Sequence, residues 1–214
     1  MNLKRLILLV VIFASASAFG QSRKADQDVV LVDSITFKQV SKNEVPGVGG
    51  PLLRGEISVL VKQIAAKKGA LKDWVRNVEV EILAGFEDKA NKGWLLLDSR
   101  AKIFAAERNK KTPIVFYIPW ESYSIYRINR EPDFYKISLF VDGQEIAIDE
   151  SNVKQRVSKN IKSMKELEAF EKAVSSQSSK NKGVLKPLNE CATNVQEYEY
   201  NNSRASVPTY LDAK

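Results

Sequence analysis

Histidine is missing from all 214 residues of this chain. Its absence removes Ser-His-Asp and Cys-His nucleophilic catalysis, His-ligated metal centres and His-based pH switching in one step. Carboxylate and lysine chemistry survive that exclusion. Cysteine is nearly as scarce. Cys191 stands alone, so no disulfide can form within the chain even where the compartment would permit one. A lone thiol near a C-terminus is either incidental or a means of cross-linking two copies. Long apolar runs are lacking as well: Leu6 to Ala14 is about half the ~20 residues that a spanning helix needs.

That short run has informative flanks. Lys4 and Arg5 precede it, and Ala16-Ser17-Ala18 follows with the small residues a signal peptidase requires, so residues 1–20 read as a secretory signal peptide cut after Ala18 or Gly20. With no Cys at the cleavage point, a lipoprotein signal is excluded. The apolar run comes before the polar Gln21-Ser22-Arg23-Lys24, which is the reverse of a prepilin. The expected location is therefore exported: periplasm, outer-membrane-associated or cell surface, with at most peripheral membrane contact. Losing Lys4 and Arg5 lowers the formal charge from +7 to +5, and about 194 residues remain, enough for one domain with appendages.

From Val29 to Asp149 the dominant pattern is alternation with period two. Ile35 and Phe37 mark a first strand, Ile57, Val59 and Val61 a second, and Val78, Val80 and Ile82 a third. The fourth spans Trp94 to Ala105, with a bend expected near Asp98-Ser99 to change its apolar face. The fifth is Ile114 to Ile118, stopped by Pro119. Tyr135, Ile137, Leu139 and Val141 form the sixth, and Asp142-Gly143 turns the chain into Glu145 to Ile148, a two-residue hairpin signal. Seven short strands without an intervening helical period predict a mainly β protein, an antiparallel β-sandwich over residues 21–150. Tyr135 lies where a tyrosine corner would fall, which sharpens the expectation to an immunoglobulin-like sandwich; an ordinary half-buried strand tyrosine reads equally well.

Beyond Asp149 the period changes. Val153, Val157, Ile161, Met164, Leu167, Phe170 and Val174 recur at helical spacing, giving an amphipathic helical appendix over residues 151–176 whose stripe from Val157 to Val174 is a candidate interface. Ser163 with Glu166 fits a capping box, an alternative start for the ordered helix. Ser175 to Gly183 reads as a linker, and residues 177–214 as an extended or partly disordered tail.

No motif carries catalysis, a cofactor or a metal. The Gly-rich Val45 to Pro51 lacks the Gly-Lys-Ser/Thr of a phosphate-cradling loop and reads as a turn. Glu79 and Glu81 share a strand face but have no evident second partner, and Asp142, Asp149 and Glu150 lack calcium-loop spacing. Lys154, Arg156, Lys159, Lys162 and Lys165 form a basic run, which could attract anions but reads as a solvated face; nucleic acid is not an expected partner. Trp120, Tyr123, Tyr126 and Phe134 crowd the segment between strands five and six. They are candidates for contact with a glycan or protein partner, or else they cap one end of the sandwich.

The signal peptide, the missing cysteine pair, Asp133-x-Tyr135-x-Ile137, the hairpin Phe140 to Glu145 and the helical appendix together resemble immunoglobulin-like periplasmic proteins associated with type IV pilus machinery in Verrucomicrobia such as Akkermansia. The resemblance covers residues 29–149. It implies an adhesion or assembly role in the envelope and no enzymatic activity, and it transfers no functional residues. The expectation is thus a non-catalytic module whose sandwich, helix and tail hold envelope proteins, pilus or secretin components among them, by strand addition at an edge or tail, or a second copy of itself. The alternative is a carbohydrate-binding adhesion module using the aromatics of 119–134.

Overall fold

The alternating segments form seven strands: β1 (Val29–Val40), β2 (Leu52–Lys62), β3 (Trp74–Asp88), β4 (Gly93–Glu107), β5 (Lys111–Ile118), β6 (Phe134–Val141) and β7 (Gln144–Ile146). The computed structural model describes residues 29–62, 74–88, 93–128, 130–175, 178–202 and 208–211; the signal peptide expected at 1–20 lies outside them. One sheet orders β1-β2-β5 and the other β4-β3-β6-β7. This is an immunoglobulin-like β-sandwich in which the fourth strand pairs with the third, whereas the constant-type arrangement sets it beside the fifth. At the β6–β7 hairpin, Asp142 and Gly143 take φ of 50° and 75°, the two left-handed positions that a two-residue turn requires. The inner faces meet in one core built from Ile57, Val59, Val78, Val80, Ile82, Ile103, Ile114, Phe116, Ile137 and Leu139.

Three further strands come from the segment expected to be linker and extended tail. They are β8 (Ser178–Lys182), β9 (Lys186–Pro187) and β10 (Tyr210–Leu211). β8 runs parallel along Trp94–Asp98 of β4, β10 pairs with Lys102 and Ile103 of the same strand, and β9 pairs with Phe116 and Tyr117 of β5. The Tyr210 hydroxyl crosses between the sheets and accepts the Val115 N–H at 2.9 Å. This side of the sandwich is therefore sealed by the chain's own C-terminal part.

The outer faces are covered too. Helix α4 (Thr193–Asn202) and a 3₁₀ turn at Leu188–Glu190 bring Val195 and Leu188 onto Val40, Val45, Leu52, Val115 and Tyr117. Every residue of β5 from Thr112 to Ile118 is consequently buried. On the opposite sheet the helical appendix is two helices, α2 (Val153–Arg156) and α3 (Met164–Ser175), the second starting at the Ser163 capping box, with α1 (Trp120–Ile125) lying earlier in the chain. Between α2 and α3, Val157 bridges to Lys136 and so continues the edge of β6 where β7 stops. The break follows from Arg156, which belongs to the basic run but is only 2% exposed. It donates to the carbonyls of Ile137, Ile146 and Ala147, pinning the backbone before α3 can start. Ser163 then caps α3, its Oγ accepting the Glu166 N–H while Glu166 accepts that of Lys162.

The expected interface stripe is an internal one: Val157, Ile161 and Leu167 are buried with Phe134, while Met164 and Phe170 pack at the margin and Val174 is also buried. Each such side chain contributes about 1.5–3 kcal/mol. This cover also explains β4. Its register against β3 is unbroken through Ser99 and Asp98, so no bend changes the apolar face there. Leu97 faces the inner core while Leu96 sits beside Trp94 and Phe134 outside, because both faces are buried at that end.

Candidate functional site

None of the four aromatics between strands five and six forms an open aromatic platform. Trp120 lies flat on the turn between β1 and β2: a Cβ added at Gly49 would sit 2.6 Å from its ring, and one at Gly50 3.3 Å. Those glycines exist for this close approach, which also identifies the Gly-rich segment as a packed turn. Phe134 is buried and stacks on Phe170 with centroids 4.3 Å apart, and Trp94 meets the same ring edge-on. Tyr123 packs on the inner core. Tyr126 alone is exposed, next to Ile125. The segment caps one end of the sandwich. At Tyr135 the ring packs on Phe37, with centroids 5.6 Å apart, and the hydrogen bonds to Ser158 are made by its backbone. Among the described residues its hydroxyl makes no corner bond.

The candidate carboxylate pair is neutralised. Glu79 and Glu81 face Arg100 and Lys102 across the β3–β4 ladder, with Arg100 Nε 2.9 Å from Glu79, and the Arg100 guanidinium also lies 4.0 Å over the Phe140 ring. Among the described residues no cluster of Cys, Asp and Glu could hold a metal ion.

The open site is at the other end of the same ladder and arises from one backbone irregularity. Asn77 in β3 adopts φ of 51°, the left-handed region that non-glycine residues rarely occupy. Its Nδ2 donates to Asp142 Oδ1 at 2.8 Å and its carbonyl accepts the Asp142 N–H at 3.2 Å, so the β6–β7 turn holds it there. The Asn77–Phe104 pair drops out of the ladder, while the pairing on either side keeps its register. Alternation therefore shifts by one on both strands: Val78 and Ile103 face the core on one side of the defect, and Val75 and Ala106 face it on the other. That shift puts Phe104, Ala105 and Glu107 of β4 and Trp74 and Arg76 of β3 on the outside together.

The result is a groove of about 490 Å³ completed by Lys110, Lys111, Thr112, Pro208 and Thr209. Its size falls within the ~300–1,000 Å³ typical of ligand sites. Trp74 and Phe104 are 47% and 50% exposed, the pair of large aromatic rings most open to solvent among the described residues apart from Tyr200. The Arg76 guanidinium lies 5.7 Å from the Phe104 centroid. Lys110 pairs with Glu107 and Lys111 with Asp33, both at 2.7 Å, whereas Arg76 has no acidic partner among the described residues. Thr209 is held in place by its carbonyl, which accepts the Phe104 N–H at 2.9 Å.

Sequence reasoning missed this groove because Trp74 precedes the alternating run and Phe104 looks like its continuation. The available signal was the break in alternation itself: Trp74-Val75-Arg76-Asn77-Val78 and Ile103-Phe104-Ala105-Ala106 cannot both keep one phase.

Comparison with known proteins leaves the fold as the firm result. No protein-family model matches the chain, and no curated protein matches it. Among solved structures, a crystal structure of a protein from Akkermansia muciniphila superposes with a TM-score of 0.62 at 14% sequence identity, covering 90% of this chain and 98% of that one. Such coverage extends well past the sandwich of residues 29–149, so the likeness includes the appendix that covers it.

Proposed function

We propose that the protein is an exported, non-catalytic module of the cell envelope that holds a protein partner in a pilus or export assembly, with the Trp74–Phe104 groove as its docking surface. The observation that carries this is the exposure of Trp74 and Phe104 around Arg76 in one concave site. Trp and Arg are the residue types that dominate binding hot spots, and exposed rings gathered in a groove are the usual form of such a surface. Support for the envelope setting is the leader-like segment from Lys4 to Ala18 and the sequence resemblance to pilus-associated periplasmic proteins. Against an acid–base function stands the pairing of Glu79 with Arg100 and Lys102 on a solvated sheet face.

The test is a crosslinked pull-down from envelope extract with wild-type protein and with Trp74→Ala/Phe104→Ala. Recovery of a pilus or secretin component by the wild type and its loss in the variant is expected; equal recovery by both removes the groove from the reading. A second reading, carbohydrate binding, is favoured by the same two rings, which can stack on sugar faces. A glycan array positive for wild type and blank for the variant would establish it in place of the first.

A further inference from the structure

We infer that the segment docked in the groove is acidic: an apolar side chain of the partner sits between Trp74 and Phe104, and an adjacent carboxylate pairs with Arg76. This rests on the groove being the docking surface. The charges lining it are Arg76, Lys110 and Lys111 against Glu107. Lys110 is occupied by Glu107 and Lys111 by Asp33, which leaves Arg76 as the lining cation without a carboxylate among the described residues. A guanidinium presents a planar fork that binds carboxylates bidentately, and here its Cζ lies 5.7 Å from the Phe104 ring centroid, within cation–π reach. The ring thus helps to hold the cation in the groove. The neighbouring outer face of the sheet does not compete, because Glu79 and Glu81 are matched there by Arg100 and Lys102. A partner carrying bases beside its apolar anchor would meet the uncompensated charge of Arg76, and one carrying acids would meet its complement.

The experiment is a selection from a random displayed peptide library on the immobilised full chain, repeated with Arg76→Glu and with Trp74→Ala/Phe104→Ala. Wild type is expected to enrich peptides with Asp or Glu next to a large apolar residue. A synthetic peptide of the enriched sequence should bind about tenfold more weakly to Arg76→Glu, and several-fold more weakly when salt rises from about 0.05 to 0.3 M. The Arg76→Glu protein should instead enrich basic peptides. Enrichment without an acidic bias, or a bias unchanged by Arg76→Glu, overturns the acidic assignment while leaving the groove intact, provided binding is still lost in Trp74→Ala/Phe104→Ala. Enrichment unaffected by that double variant overturns the groove itself. Enrichment of no peptide, or an anionic glycan held at Trp74 on an array, also overturns the assignment.

Discussion

Replacing Glu199 tests whether the C-terminal helix is part of the folded unit. Glu199 is 2% exposed, on α4. It accepts bonds from Arg54 Nε at 2.9 Å, Arg54 Nη2 at 2.6 Å and the Tyr117 hydroxyl at 2.7 Å. Removing one partner of a buried pair costs about 3–5 kcal/mol, since the other charge stays buried. Glu56 also holds Arg54, at 2.7 Å, so Glu199→Gln should fall near the bottom of that range, about 3 kcal/mol. For a chain of this size that lowers Tm by about 6–12 °C.

The pH dependence has a definite sign. Burial pushes the Glu199 carboxyl up, but the Arg54 bonds and charge outweigh it and hold it below its ordinary value of 4.5. The unfolded chain then binds the proton more readily, so stability rises with pH through this window. The contribution is complete above about 4.5 and is lost as pH falls through the lower folded value. Urea unfolding at pH 7 and pH 4 should show a smaller difference for Glu199→Gln than for wild type. Arg54→Met/Tyr117→Phe/Glu199→Leu should recover most of the loss, because it replaces the charges and the Tyr117 hydroxyl bonded to them by apolar groups of similar volume. A Glu199→Gln protein within 0.5 kcal/mol of wild type at pH 7 (roughly the spread of a neutral surface change) would refute the reasoning.

At the groove, Trp74→Ala and Phe104→Ala should abolish partner binding yet change urea stability by no more than about 1 kcal/mol, since both rings are half exposed. Trp120→Ala should do the opposite, costing about 3–5 kcal/mol by emptying the space over Gly49 and Gly50 while leaving binding intact. Asn77→Gly should keep the groove, because glycine accepts the 51° φ, whereas Asn77→Val should lose about 1–3 kcal/mol and the binding together, as read by melting and the pull-down. Burial pushes the Cys191 thiol up to about 12, so a thiol reagent at pH 8 should label the native chain very slowly and the urea-unfolded chain at once.

The seven strands were legible because one period-two signal per strand is enough to specify a half-buried face, and Asp142-Gly143 has few alternatives to a tight hairpin. Positions covered on both faces were harder. Ile114 to Ile118 is a continuous apolar run, a mark of burial on two sides, but nothing local says that α4 supplies the second side. The stripe of α3 was readable as an interface, and its partner, the outer face of Leu83, Trp94 and Phe134, was not. Arg156 shows the limit of composition. Among the lysines of its run it looks solvated, yet its bonds to three carbonyls depend on where β7 ends, a tertiary fact. The groove escaped for a similar reason, since the phase shift at Asn77 is held by Asp142, distant in sequence.

The missing disulfide and the docked appendix belong to one argument. A sandwich without a cysteine pair forgoes about 2–5 kcal/mol of stabilisation. Two apolar side chains buried by the appendix, such as Val195 and Leu167, replace that at about 1.5–3 kcal/mol each, and the appendix buries several more. The segments that give this cover cannot also be free arms for capturing a partner: withdrawing α4 would expose Val115 and Tyr117 and break the Arg54–Glu199 pair. Strand addition at β4 and β5 is blocked for the same reason, because β8, β9 and β10 already occupy those edges. On the proposed function, a partner would then dock on a surface that the appendix leaves open without loss of stability. The Trp74–Phe104 groove meets that condition, since its rings stand outside the core on the far side of the Asn77 defect, and Pro208 and Thr209 line it without filling it.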